Sequence, residues 1–355
     1  MKTTLFFVYL AGVFFISWLG LYEPAKIVWF YLGAIPLFLY WTLKIYKQKD
    51  ISINKTDYFY LIWLLILVVS SFINGSVLNS LTGTSYRHQG IIFFFILWII
   101  GKTFRSIASP KQKNFLYGFI VAATIQAIFI IYQKLNQSIL VGTLGEANAV
   151  AGALFPFLPY INNLFIFSLI SLGALVTGSK IAIFVVVMVL LIKLPLKNNI
   201  KNFLGLILFL TTCFLIINNI LSLSSESFFE NRSTIWIYSM EAVTKKPFLG
   251  YGPEANEYLY DNLFAEDNLP LTFIIIDRAH NLFLDVAIWS GLAGLLFFAA
   301  WLLTSLQKIF KRKTQLISVL TILLYAFFQP LGVIHWILLF LMFNLQKPVF
   351  RYSWK

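Results

Sequence analysis

The sequence has few charged residues and almost no cysteine, and both scarcities narrow the class of protein. Only 12% of its 355 residues are charged, whereas about a quarter are charged in a typical soluble domain. The single cysteine, Cys213, lies inside an apolar run, which excludes a disulfide framework and a cysteine-based metal site. Hydrophobic residues make up 59% of the chain and aromatic residues 18%, with a mean hydropathy of +0.82. This composition is typical of an all-α, polytopic membrane protein.

Several enzyme motifs are also missing. The sequence contains no Walker motif, no cysteine or histidine pair with zinc spacing, and no G-x-S-x-G nucleophile elbow. No DxD-type acidic pair stands in an early outer loop, and no internal repeat is visible. Acidic residues are nearly absent from the apolar stretches apart from Asp285, which weighs against a proton-coupled transporter.

Twelve apolar stretches are long enough, or nearly long enough, to cross a bilayer. They predict a transmembrane helical bundle with spans at about residues 5–21, 25–43, 57–73, 87–101, 115–132, 148–161, 164–178, 181–195, 202–221, 280–306, 315–330 and 332–346. The divisions at "PYINNLF" (159–165) and "QPLGV" (329–333) are weak, so ten or eleven spans remain an alternative. We expect the first stretch to be an uncleaved helix, and residues 1–355 to form one integral membrane domain.

The basic residues are divided unevenly between the two sets of predicted loops. One set holds 19 of the 27 lysines and arginines, so the positive-inside rule predicts that this set and both termini are cytoplasmic. The net charge of +13 then reflects topology and not nucleic-acid binding. The only long loop, residues 222–279, is predicted to be extracytoplasmic, and His88, His280 and His335 fall at or near the same face. We therefore expect the chemistry on that face.

The long loop is predicted to contain a surface helix. The helical pattern runs from Ser233 to Lys246, with Trp236 expected at the depth of the lipid headgroups. Arg232 stands at its start, and a helix N-terminus with an arginine suits a phosphate group. The alternative is that Arg232 contacts lipid headgroups. Tight turns are expected at the two glycines that follow this helix, Gly250 and Gly252.

The end of the loop brings a histidine and an arginine to the start of the tenth predicted span. His280 is suited to proton transfer near neutral pH, although a capping role is the alternative. Arg278 would hold an anion beside it. For Asp285 the helical spacing favours a packing role over direct contact with His280. Shorter outer segments add further polar groups, each with an ordinary helix-end alternative, and these are Arg87, His88, Glu146, Asn148 and Lys180.

Four motifs occur in a fixed order, "GTLGEAN" (142–148), "TGSK" (177–180), "NRSTIW…PFLGYG" (231–252) and "HNLFLDVAIWSGLAG" (280–294). Together they resemble the O-antigen ligase and polymerase superfamily of bacterial membrane glycosyltransferases, over roughly residues 83–300. The resemblance implies transfer of a glycan from an undecaprenyl-diphosphate carrier to an acceptor hydroxyl at the outer face of the plasma membrane, without a metal ion or cofactor. Ligase and polymerase activities use the same donor, and the acceptor stays open between a glycan, a lipid and a protein.

The resemblance also implies roles for individual residues. Arg232 would bind the donor diphosphate and His280 would be the general base. Lys180 stands where the family has an arginine, and Trp289 stands where an acidic residue is common, so this chain departs from the pattern twice. Further candidates for the diphosphate are Arg87 and Arg278, and the supporting positions are Asn281, Asn148, Gly250 and Gly252.

Two other classes are considered. A flippase or transporter of lipid-linked oligosaccharide would bind the diphosphate with the same arginines and break no bond. Such transporters tend to show internal repeats and charged groups deep within the spans, and the sequence shows neither. A scaffold of a polysaccharide assembly complex would not explain why polar residues gather on one face.

Overall fold

The fold is helical throughout the residues that the computed structural model describes, which are 3–17, 21–48, 53–75, 77–84, 86–107, 109–193, 232–267 and 276–346. The first helices are α1 (Thr3–Phe15), α2 (Glu23–Gln48), α3 (Lys55–Ile73), α4 (Val77–Thr82), α5 (Ile91–Ser106), α6 (Ser109–Leu135) and α7 (Ala147–Leu154). A 3₁₀ helix (Phe155–Tyr160) follows, and then α8 (Leu164–Val176), α9 (Lys180–Lys193), α10 (Arg232–Lys245), α11 (Asn256–Glu266), α12 (Leu282–Ile309), α13 (Lys313–Phe328) and α14 (Val333–Asn344).

These helices coincide with eleven of the twelve predicted spans, and the twelfth, 202–221, lies outside the described residues. Four of them, α2, α3, α6 and α12, are long and apolar enough to cross a membrane. The all-α class and the membrane character are therefore confirmed. The count of about twelve spans stays a prediction, because α1, α8, α13 and α14 are apolar but shorter than a full span.

The two ends of the helical bundle carry different groups. At one end, Lys102 Nζ lies 2.7 Å from Asp57 Oδ2, and Lys308 Nζ donates to Asn54 Oδ1 at 3.0 Å. These lysines belong to the loops predicted to be cytoplasmic. At the opposite end of α3, the Asn74 side chain donates to the carbonyl of Gly250 at 3.0 Å. Residues predicted on one side of the membrane thus meet at one end of the bundle.

Aromatic side chains fill the space between α3, α5 and α12. The Trp63 ring lies 5.1 Å from Phe94 and 5.0 Å from Phe298, and its Nε1 donates to Ser290 Oγ at 3.2 Å. Close packing of this kind is what holds helices together in lipid, where apolar burial alone supplies little force between them.

The tenth predicted span is broken, which corrects the expectation of one continuous helix over 280–306. Gly291 has φ 62°, a left-handed conformation that interrupts α12. The segment 247–252 replaces the lost helical bonds, since Tyr251 N donates to Ile288 O at 2.8 Å and Leu292 N donates to Pro247 O at 2.7 Å. Backbone groups freed inside a membrane need such partners. This turn of the long loop therefore closes the break in α12.

Two further predicted elements differ in detail. The span predicted at 148–161 consists of α7 and the 3₁₀ helix, because Pro156 and Pro159 prevent a continuous α-helix. The surface helix predicted at 233–246 is observed as α10, and α11 adds a second helix that the sequence pattern did not predict. The indole of Trp236 packs against Phe327 and Phe328 and donates to Ala279 O at 2.9 Å, so it connects α10 to the end of the long loop.

Candidate active site

A fully buried ion pair anchors the end of the long loop. Arg278 is 2% exposed and pairs with Glu254, which is 1% exposed. The same guanidinium donates to Gln89 Oε1 at 3.3 Å and lies 4.7 Å from the centre of the Trp289 ring. The second carboxylate oxygen of Glu254 accepts from the backbone of Thr84. Arg278 therefore joins the loop before α5 to the loop before α12.

A second ion pair lies one residue earlier, between Asp277 and Arg87. Burial alone would raise the pKa of Asp277, but the charge and hydrogen bond of Arg87 outweigh it and hold this pKa below its usual value. The pair uses Arg87 Nε, and the guanidinium makes no other hydrogen bond with the described residues. Its two Nη groups are therefore available to a ligand.

His280 occupies a strained turn directly before α12. Its φ of 53° is in the left-handed region, which costs free energy for a residue with a side chain. Its Nδ1 is buried and has no hydrogen-bond partner among the described residues. Burial, followed by the positive charge of Arg232, lowers the pKa of His280 to about 4, so the imidazole is neutral at pH 7. A neutral imidazole with an unpartnered nitrogen can accept a proton.

Hydrogen bonds on both sides hold the turn that carries His280. Asp285 Oδ1 accepts from Ala279 N at 2.8 Å and from Asn256 Nδ2 at 3.0 Å, and Asn256 Oδ1 accepts from Trp289 Nε1 at 2.6 Å. Asn281 is the N-cap of α12, and its side chain accepts from Phe283 N at 2.9 Å. The packing role expected for Asp285 is confirmed, because it bonds the backbone next to His280.

The structure brings three of the predicted basic residues around His280. The positive charges of Arg232 and Arg87 both lower the pKa of His280. Arg278 stands two residues before it in the same turn, and Arg232 is an exposed residue at the start of α10. Lys180 is the first residue of α9 and is exposed.

The supporting residues have local roles. Gly250 and Gly252 have φ of 66° and 93°, which confirms the predicted turns, and Gly252 N donates to Trp289 O at 2.9 Å. Asn148 lies inside α7, where its amide is 3.5 Å from Glu146 Oε1, so it does not cap that helix.

A cleft opens beside Arg87. Residues from α2, α7, α13 and three loops line it, namely Glu23, Tyr86, Arg87, Leu144, Gly145, Glu146, Ala149, Tyr325, Pro330 and Gly332. Nowhere in the described ranges do three histidine, cysteine or acidic side chains meet as a metal site would require.

Sequence reasoning missed the acidic partners of the arginines. Glu254, Asp277 and Glu23 lie far along the chain from the groups that they meet, so no local spacing links them. The available signal was compositional, since the loop 222–279 holds nine acidic residues and four basic ones, so a buried arginine in it has acidic side chains of the same loop as candidate partners.

The apolar helices and the polar cluster at one end of the bundle define a multi-pass membrane protein with an enzyme-like site. Residues 165–299 match the family described as O-Antigen ligase, which confirms the resemblance to the O-antigen ligase superfamily. That family implies a glycosyltransferase-type enzyme in general. The matched segment contains Lys180, Arg232, Arg278 and His280, whereas Arg87 lies outside it. No curated protein matches the chain.

Proposed function

We propose that the protein transfers a glycan from an undecaprenyl-diphosphate carrier to an acceptor hydroxyl at the outer face of the bacterial plasma membrane. The observation that carries this proposal is His280, a neutral imidazole with a buried, unpartnered nitrogen beside the charges of Arg232 and Arg87. A base next to two cations suits a reaction in which a hydroxyl loses a proton and a diphosphate departs.

His280 acts as the general base. It removes the proton of the acceptor hydroxyl while the hydroxyl oxygen attacks the anomeric carbon of the donor sugar. The bond between that carbon and the diphosphate oxygen breaks, and the carrier diphosphate leaves with the bonding electrons. An imidazole with a pKa of about 4 is a weak base, but a bound diphosphate beside Arg232 would offset the positive charge that lowers this pKa.

Arg232 and Arg87 bind the departing diphosphate. Arg232 is exposed at the first turn of α10, where the helix dipole also favours an anion. Arg87 lines the cleft and keeps its Nη groups for a ligand. Lys180 is retained as a further, weaker candidate because an ammonium lacks the bidentate geometry of a guanidinium.

Arg278 is given a different role from the one implied by the resemblance. Its guanidinium is buried, paired with Glu254 and packed on Trp289. Binding a phosphate there would separate the pair and leave a carboxylate uncompensated in the core. Arg278 therefore positions the turn that carries His280 and does not bind the donor.

The orientation of the protein follows from the basic residues. The lysines near Asp57 and Asn54 gather at the end opposite His280, and the positive-inside rule assigns such an end to the cytoplasm. We accordingly place both termini in the cytoplasm and the His280 turn outside, where residues 222–279 form the long loop between the ninth and tenth spans.

The proposal is tested by transfer with the purified protein in nanodiscs. Wild type is compared with His280→Gln and with the matched control His88→Gln, since His88 is also left-handed, at φ 48°. The assay supplies an undecaprenyl-diphosphate glycan, a panel of glycan, lipid and protein acceptors, and EDTA. We expect transfer by wild type and by the control, unaffected by EDTA, and none by His280→Gln.

The contrary results are distinct from one another. Transfer that EDTA abolishes would overturn the metal-free mechanism and keep the enzyme class. Tight binding of the donor without transfer to any acceptor would favour a flippase of lipid-linked oligosaccharide over a glycosyltransferase.

A further inference from the structure

The cleft beside Arg87 carries more negative than positive charge. Glu23 and Glu146 line it together with the single guanidinium of Arg87, whose Nε is already paired with Asp277. A diphosphate placed deep in this cleft would face two carboxylates. The part of the cleft lined by the two carboxylates is therefore less suited to the charged part of the donor.

Glu23 lies at the wall of the cleft, and the neighbouring backbone leaves room for its carboxylate. Glu23 is 9% exposed, and its Oε2 lies 3.5 Å from the backbone nitrogen of Val333. A side chain at Gly332 would place its Cβ 2.1 Å from Glu23 Oε1, so the glycine makes room for this carboxylate. The result is a fixed hydrogen-bond acceptor between the start of α2 and the start of α14.

The lining of the cleft also includes a second acceptor and an aromatic surface. Glu146 is exposed and precedes α7 without capping it, so its carboxylate is not committed to the helix. Tyr86 is 53% exposed and lines the same cleft. Carboxylates are strong acceptors for hydroxyl groups, and a tyrosine ring offers a rigid face with both apolar and polar character.

We propose that this cleft binds the acceptor as a neutral, hydroxyl-bearing sugar, with Glu23 and Glu146 accepting hydrogen bonds from sugar hydroxyls and Tyr86 covering one face. This inference rests on the proposed transfer reaction. Arg87 links the cleft to the turn that carries His280, because it lines the cleft and pairs with Asp277, three residues before His280. A sugar held at the carboxylates would present a hydroxyl toward the base, while the diphosphate stays on the side of Arg232.

The subsite is tested by direct binding, separately from transfer. Saturation-transfer NMR on the full chain in nanodiscs uses glucose, galactose, N-acetylglucosamine and lactose as probes. Wild type is compared with Glu146→Gln and with Glu266→Gln, a matched control at the exposed end of α11. We expect at least one probe to bind, about tenfold weaker binding to Glu146→Gln, as for the loss of one charge-assisted hydrogen bond, and no change in Glu266→Gln.

Three results would overturn the subsite. The first is that no probe binds, and the second is that Glu146→Gln binds as tightly as Glu266→Gln. In the third, Glu146→Gln binds inorganic diphosphate more tightly with saccharide binding unchanged, which would assign the cleft to the donor. Saccharide binding without any transfer by wild type would instead contradict the proposed reaction and leave the subsite standing.

Discussion

Asp277 and Arg278 are neighbours in the chain, yet their two ion pairs differ in how far they are buried. In the pair of Arg278 with Glu254 the side chains are 2% and 1% exposed, whereas in the pair of Arg87 with Asp277 they are 11% and 19% exposed. A fully buried pair cannot exchange a partner without leaving an uncompensated charge. A pair at the wall of a cleft can add a ligand to its remaining donors. Under the proposed function, the same chemistry serves as a structural link in one place and as part of a binding surface in the other.

The largest effect is expected when the buried pair is broken. Arg278→Ala leaves Glu254 charged in the core, and breaking a buried pair typically destabilises a protein by about 3–5 kcal/mol. The free energy of unfolding in mild detergent would measure the loss. Glu254→Gln combined with Arg278→Ala should recover part of it, since the uncompensated carboxylate is then gone. Equal stability losses in Arg278→Ala and Arg87→Ala would contradict the distinction between the two pairs.

The break in α12 gives a second test, which asks whether the segment 247–252 stabilises the helix at that point. At Gly291 an added Cβ would lie 2.3 Å from the carbonyl of Phe248, and at Gly250 it would lie 2.3 Å from the carbonyl of Ile288. We expect Gly291→Ala and Gly250→Ala each to reduce the free energy of unfolding by about 2–3 kcal/mol, from backbone strain plus displaced backbone.

Gly75→Ala is the matched control for these two variants. It also has positive φ, at 67°, but nothing lies within 4 Å of the added Cβ. Strain alone should cost about 1 kcal/mol there. If all three variants lose the same stability, the segment 247–252 does not close the break in α12.

Arg87 should matter for function more than for folding. Arg87→Gln removes a charge-assisted contact with the donor, which is worth about 1.5–3 kcal/mol and corresponds to a rise of about tenfold or more in the donor KM. Steady-state transfer kinetics would measure it beside Arg278→Lys, which keeps the charge of the residue that we place outside the donor site. A donor KM that rises only in Arg278→Lys would reverse the two roles.

The sequence predicted most of the helices and the candidate residues themselves, but not the acidic partners of those residues. Hydrophobic runs predicted eleven of the observed helices, because helix length and apolar content are local properties. His280 and Arg232 were predicted from their places at helix starts. The burial of Arg278 against Glu254 could not be predicted, because the two residues are joined only by packing between loops. The break at Gly291 was missed because the residues that stabilise it lie about forty positions earlier, at 247–252.

The smallest expected effect concerns the charge that acts on His280. In the free enzyme the imidazole is neutral above a pKa of about 4, so kcat/KM should stay constant at neutral pH and fall as the pH drops through that value. Arg232→Gln removes a positive charge that lowers this pKa. Its acid limb should therefore move to higher pH, toward the usual histidine value of 6.5, whereas Arg232→Lys should leave the limb in place.

The pH dependence of kcat/KM for wild type, Arg232→Gln and Arg232→Lys is the measurement that tests the account most directly, since it reports the base and its neighbouring cation in one experiment. An acid limb near pH 4 in wild type and in Arg232→Lys, shifted upward in Arg232→Gln, would establish His280 as a neutral base beside Arg232. A limb that Arg232→Gln does not move would contradict the central claim that these two residues form one site.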